Sequence, residues 1–335
     1  MKSSWLQEGR QQHTRTMITI TFVIATSGPW LQRLPSYLQT AGLVLLVALF
    51  GIPHGALDHW VGRRVLKPRF GTFWSIPFLA LYLGIGGAVI LSWIVSPVLT
   101  LILFLVVSAI HFGREDVQAS RGSQKPTSFE VGLRGSLPIV LAIGLYPEET
   151  TKLFLWMVPH AAPQDLYLLT LTISALLPIW MFGFFIHVLS TFLRWAFAQR
   201  VQDRDAGLEL LTLMFLFTAC PPLVSFVVYF CGWHATRHTL ELAAGLEPHH
   251  KTKAFRSFLL HSVPLTLATV ALAGVGWWWL SHYQAVTQVG IQVVFIGLSA
   301  LTFPHMAFQW MVQKDEATTA DIEPSNTTLA TVPDP

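Results

Sequence analysis

Ten stretches of this sequence are apolar over enough residues to cross, or nearly cross, a lipid bilayer as helix. That repetition leaves the chain little choice of architecture. A hydrocarbon core of about 30 Å takes about 20 residues of α-helix, and only helices and closed barrels satisfy their own backbone in lipid. The stretches run at about 17–31, 38–58, 73–94, 97–113, 131–146, 166–195, 207–220, 223–243, 258–280 and 288–312. The first, fifth and seventh are short or weak, so the sequence predicts 8–10 transmembrane helices in an all-α, polytopic integral membrane bundle. The run from Met17 could pass for the apolar core of a signal peptide. It leads into Ser27-Gly28-Pro29-Trp30 with no small-residue cleavage site, and reads as a retained helix. The charge supply agrees: 12% of residues are charged, against roughly a quarter in a soluble domain. So few charges cannot clothe a soluble globule, which excludes a cytosolic enzyme, a nucleic-acid-binding module and a disordered chain. Cys220 and Cys231 sit inside apolar runs and imply no disulfide framework.

Basic residues mark every second connection. Lys2, Arg10 and Arg15 precede the first span; Arg63, Arg64, Lys67 and Arg69 follow the second; Arg114, Arg121 and Lys125 follow the fourth. Arg194, Arg200 and Arg204 follow the sixth, Lys251, Lys253 and Arg256 the eighth, and Lys314 the tenth, while the alternate connections are short and nearly free of Lys and Arg. By the positive-inside rule both termini are cytoplasmic, in a multi-pass protein of the inner (cytoplasmic) membrane. Residues 1–314 form the predicted membrane catalytic region. The polar tail 315–335 is predicted to be disordered.

Strongly polar side chains within lipid are costly and usually face the bundle interior, where they mark function. Of 13 histidines, His13, His249 and His250 lie in basic segments and His160 and His282 in external connections, where solvation is the expectation. The others share a depth. His54 and His59 end the second span, His111 the fourth, His187 lies late in the sixth, His234 and His238 in the inner half of the eighth, His261 just inside the ninth and His305 near the inner end of the tenth. Histidines satisfied one by one by backbone carbonyls have no reason to share a layer, whereas ligands of a common centre do. His234 and His238, at i and i+4, share a helical face as a chelating pair. His54 follows Pro53 and precedes Gly55, a combination that predicts a locally broken helix lining a cavity. Asp58, four residues on, is placed to hold the far N–H of a ligand imidazole. Pro304-His305 repeats the Pro-His device. Imidazoles without thiolates suit zinc, copper or iron; open positions in an apolar pocket favour Fe(II) and dioxygen chemistry.

Four blocks carry a resemblance to a known family. They are Pro53-His54-Gly55-Ala56-Leu57-Asp58-His59, His111-Phe112-Gly113-Arg114-Glu115-Asp116, Tyr229-Phe230-Cys231-Gly232-Trp233-His234-Ala235-Thr236-Arg237-His238 and Thr302-Phe303-Pro304-His305-Met306. In this order they resemble the Brp/Blh family of membrane-bound β-carotene 15,15′-dioxygenases, over residues 53–306. The resemblance implies an iron held by His54, His111, His234 and His238, with Asp58, His59 and His305 in a supporting or pocket role. It also implies central cleavage of β-carotene by O2 into two all-trans retinals, the chromophore of microbial rhodopsins, with no nucleic acid involved. A substrate dissolved in membrane lipid is admitted laterally, and Trp60, Phe112, Tyr229, Trp233, Phe308 and Trp310 flank the histidine blocks as candidates to line its tunnel.

Three rivals keep different residues in view. A diiron desaturase or hydroxylase needs about twice as many histidines in repeated boxes, and only one HxxxH occurs here. A non-catalytic haem- or retinal-handling protein would use the same residue type. A transporter is disfavoured by the scarcity of intramembrane acids.

Overall fold

The computed structural model describes residues 4–121, 127–158 and 161–322, and among them there is no strand. The principal helices are α1 (Ser4–Thr26), α2 (Ser36–Leu46), α3 (Asp58–Phe70), α4 (Ser75–Val95), α5 (Pro97–Arg121), α6 (Ser128–Leu145) and α7 (Pro147–Met157). After them come α8 (Pro163–Ala198), α9 (Val201–Ala219), α10 (Pro222–Val227), α11 (Thr236–Leu246), α12 (Lys251–Leu280) and α13 (Val286–Ile322). Seven helical stretches are long and apolar enough to span a membrane: 36–73, 75–95, 97–118, 128–145, 163–198, 251–280 and 286–312. The three remaining expected spans, 17–31, 207–220 and 223–243, fall on α1, α9 and the α10–α11 segment. These are helical but too polar to qualify. α1 carries Arg10 and Arg15, α9 carries Asp203, Arg204, Asp205 and Glu209, and α11 carries Arg237, His238 and Glu241.

The polarity has a structural cause. α1 packs on both α9 and α11, and the charges of these helices answer each other rather than lipid. Glu209 takes Arg134 Nη2 of α6 at 2.6 Å and both terminal nitrogens of Arg237 at 2.8 and 2.7 Å. Arg237 also lies 4.8 Å from the centre of the Trp233 ring. By contrast α8 turns a long row of Leu, Ile and Phe outward and α12 a row of Leu, Val and Trp, as lipid-facing helices do.

α5 and α6 pack closely because Gly113 and Gly135 face each other's helix. A Cβ at either would run into the carbonyl of Val131 or of Ala109. The core fills around this contact with Leu101, Leu137, Leu141 and Phe184. α13 stays helical through Pro304 and on to Ile322, past the expected start of the tail; residues 323–335 and His160 lie outside the described residues.

Candidate metal centre and its cavity

Two departures from regular helix prepare the site. The chain ending α2 widens into a π-helical turn, Val47–Gly51, before the short turn Ile52–Gly55 that carries His54. Pro53 lacks the N–H that would continue the ladder, so the chain loosens just before it, as the sequence predicts. The second is an eight-residue π-helical segment, Val228–Ala235, which ends on Trp233, His234 and Ala235. Such wide turns concentrate at functional sites. Gly51 and Phe230 bring the two segments together: the Phe230 ring occupies the space a Cβ at residue 51 would need.

Three ring nitrogens, one each from His54, His111 and His234, lie within 4.8 Å of one another, all buried. Nε2 of His111 and Nε2 of His234 are 3.1 Å apart. Around them the His238 ring centre is 5.7 Å from that of His54, and the His305 ring is 5.1 Å from His111 and 5.6 Å from His238. Five imidazoles from the second, fourth, eighth and tenth expected spans therefore share one chamber.

What holds them is on the far side of the rings. The Nδ1–H of His54 donates to the Gly51 carbonyl. That of His234 faces Asp116 Oδ1 at 3.4 Å, and Asp116 is itself held by the Tyr229 hydroxyl at 2.7 Å. His238 Nδ1 pairs with Glu115 Oε2 at 2.9 Å. His305 Nδ1 pairs with Asp58 Oδ1 at 2.5 Å, and Asp58 receives the Tyr82 hydroxyl at 2.9 Å. Carboxylates that take one imidazole nitrogen fix the tautomer and aim the other at a metal. His305 differs in that its Nε2 also meets the Gln309 amide at 3.0 Å. His111 Nδ1 is buried with no protein partner. Buried imidazoles whose nitrogens converge on one another, with no thiolate among them, fit a transition-metal ion.

A cavity of about 400 Å³ opens from this chamber, with His54, His111 and His305 in its wall. Its lining follows single helix faces. On α5 it runs through Leu101, Leu105, Ser108 and His111, and on α13 through Phe295, Leu298, Thr302 and His305. The spacing of three to four residues is that of one α-helical stripe. Nearly all of the rest is aliphatic or phenyl.

A family model for beta-carotene 15,15'-dioxygenase matches residues 45–312. The chain belongs to that family. It is 30% identical over 264 residues to the beta-carotene 15,15'-dioxygenase of an uncultured marine bacterium, 66A03, covering 78% of this chain and 89% of the relative. It is 26% identical over 315 residues to the probable beta-carotene 15,15'-dioxygenase Blh of Halobacterium salinarum, covering 88% and 89%. No solved structure matches. The dioxygenase family region opens at the first π-helical turn and takes in all five clustered histidines, while α1 lies outside it.

Several sequence expectations change against these contacts. Asp58 does not hold His54. The helix is interrupted at Ala56 and Leu57, so the i+4 register is lost, and Asp58 turns to His305 on α13 instead. Pro304 lies within a helix that runs unbroken from Val286 to Ile322. His59 is half-buried, bonded to the Ala56 carbonyl at 3.1 Å, and borders the cavity. Of the six aromatics proposed for a tunnel only Phe112 lines it. Tyr229 stands behind Asp116, Trp233 donates to Thr21 Oγ1 at 2.9 Å, Phe308 packs on Phe78 and Tyr82, and Trp310 is exposed. His187 lies against Glu130 and Phe129, apart from the cluster, and His261 is exposed with its Nδ1 on Ser257 O. His13 is not solvated but bonds the Gly232 carbonyl at 2.9 Å. Glu115 and Asp116 close the second sequence block, and the fold gives them their roles against His238 and His234; their place just after His111 is the signal the sequence carries. Intramembrane acids are not scarce either, since Asp58, Asp116 and Glu130 are all buried within qualifying spans.

Proposed function

We propose that this protein cleaves the central 15,15′ double bond of β-carotene with O2, yielding two molecules of all-trans retinal. The observation that carries the reading is the junction of a buried imidazole cluster with an apolar cavity inside a membrane bundle. We assign Fe(II) to His54, His111, His234 and His238, with His305 completing the ring of imidazoles under the control of Asp58. Bound ferrous iron would supply activation of dioxygen. The chain's own part is to hold the imidazoles in place through Gly51, Asp116 and Glu115, to exclude water with a phenyl and aliphatic wall, and to lay the polyene beside the cluster.

The reaction balances without an external reductant: the carbon–carbon double bond breaks and each of its carbons takes one oxygen atom of O2. Retinal made here is suited to supply a microbial rhodopsin in the same membrane, the inner (cytoplasmic) membrane, with both termini on the cytoplasmic face. The spacing of His111 and His234 speaks against a bis-histidine haem on that pair, because 3.1 Å between their nitrogens leaves no room for a macrocycle.

Expression in cells that accumulate β-carotene tests the reading. Loss of orange colour with retinal appearing is expected; an unchanged pigment profile from folded, iron-loaded protein would overturn it.

A further inference from the structure

We propose that the cavity is a ruler whose buried end, formed by α6 and α7, decides where the polyene is cut. The inference rests on the reading that the imidazole cluster is the place of cleavage.

The two ends of the cavity are unlike. Beside the histidines its wall includes Leu79 and Leu83 of α4 and Leu265 of α12, all of which face outward, and the exposed strip continues along α12 to Leu272; Leu83 is 67% and Leu272 72% exposed. This is a mouth open to the hydrocarbon side of the bundle. In the other direction the lining follows α5 from His111 to Leu101 and α13 from His305 to Phe295. Ten residues of helix span about 15 Å. The arm stops at Ile143, Thr150, Phe154 and Met157, every one of them buried. The Thr150 hydroxyl is spent on the Ala142 carbonyl at 2.8 Å, so the end wall presents no free donor to a ligand.

An apolar rod that leaves the bilayer gains nothing from the hydrophobic effect, since lipid and cavity are equally oily. Nor can a hydrocarbon bond the few hydroxyls of the arm, Ser108, Thr150 and Thr302, so no polar contact fixes its register. What remains is contact with a wall. A polyene entering between α4 and α12 threads one terminal ring along α5 and α13 until it meets α7, and the length of the arm then sets which double bond rests beside the imidazoles. Cleavage is central when that length matches half of a molecule whose halves are identical, so either end can enter first. Phe154 and Met157 are thus specificity-determining residues that touch the substrate far from the reacting atoms.

Product analysis in β-carotene-producing cells reads this out directly. Phe154→Ala with Met157→Ala deepens the arm, and Ala142→Phe shortens it. Each variant is expected to release two unequal carbonyl fragments, one longer and one shorter than retinal, as a substantial share of product by chromatography and mass spectrometry. Leu83→Ala at the mouth is expected to change the rate of carotene consumption and not the position of the cut. Should the paired substitution unfold the protein, Phe154→Leu alone carries the same expectation in smaller measure. Retinal as the sole product of folded arm variants that still consume carotene would overturn the ruler, while absence of retinal from the unaltered protein would instead overturn the functional reading beneath it.

Discussion

Two polar clusters are buried in this bundle, and they are built on opposite plans. Around Glu209, two arginines and one carboxylate meet at 2.6 to 2.8 Å, so charge is answered by charge inside the protein. Around His54, each carboxylate or carbonyl takes an outer ring nitrogen and the inner nitrogens face one another. The first cluster is complete as it stands. The second asks for something that accepts lone pairs. The contrast separates a polar group that fastens helices together from one that waits for a ligand, although both look alike as buried polarity in an apolar chain.

Substitutions can break that contrast or sharpen it. The largest effect is expected at the imidazoles: His54→Ala and His234→Ala should each abolish retinal formation and lower bound iron, read by chromatography and metal analysis, in protein that still folds. Glu209→Gln should do the reverse. Removing one partner of a buried ion cluster costs about 3–5 kcal/mol, so thermal stability in detergent should fall sharply while iron per folded molecule stays unchanged. Loss of iron from folded Glu209→Gln would erase the distinction between the clusters. Asp116→Asn is intermediate, because it keeps the shape but weakens the hold on His234. Metal affinity should drop about 10- to 100-fold, measured by competition with a chelator. His261→Ala, exposed and bonded only to its own helix, should alter stability by less than about 0.5 kcal/mol and leave retinal yield as it was.

How far the sequence could be read is seen residue by residue. The apolar runs report on themselves, since hydropathy is a property of consecutive residues, and the spans at 75–95, 128–145 and 286–312 fall close to their expected bounds. The runs that failed to qualify as spans did so because of Glu209, Arg237 and their neighbours, whose partners lie on other helices. His54, His111 and His234 could be grouped in advance because depth in a membrane is linear along each span. Their supports could not. His238 is held by Glu115, 123 positions away, and His305 by Asp58, 247 positions away.

The chain by itself thus dictated a helical membrane bundle and a layer of imidazoles, through local polarity and spacing that need no partner to be felt. Only the folded molecule decided which carboxylate steadies which ring, which aromatics face the cavity and where that cavity stops. Those outcomes depend on the rotation of one helix against another, and here two π-helical segments and a helix interrupted at Ala56 and Leu57 shift that rotation away from what regular periodicity would give.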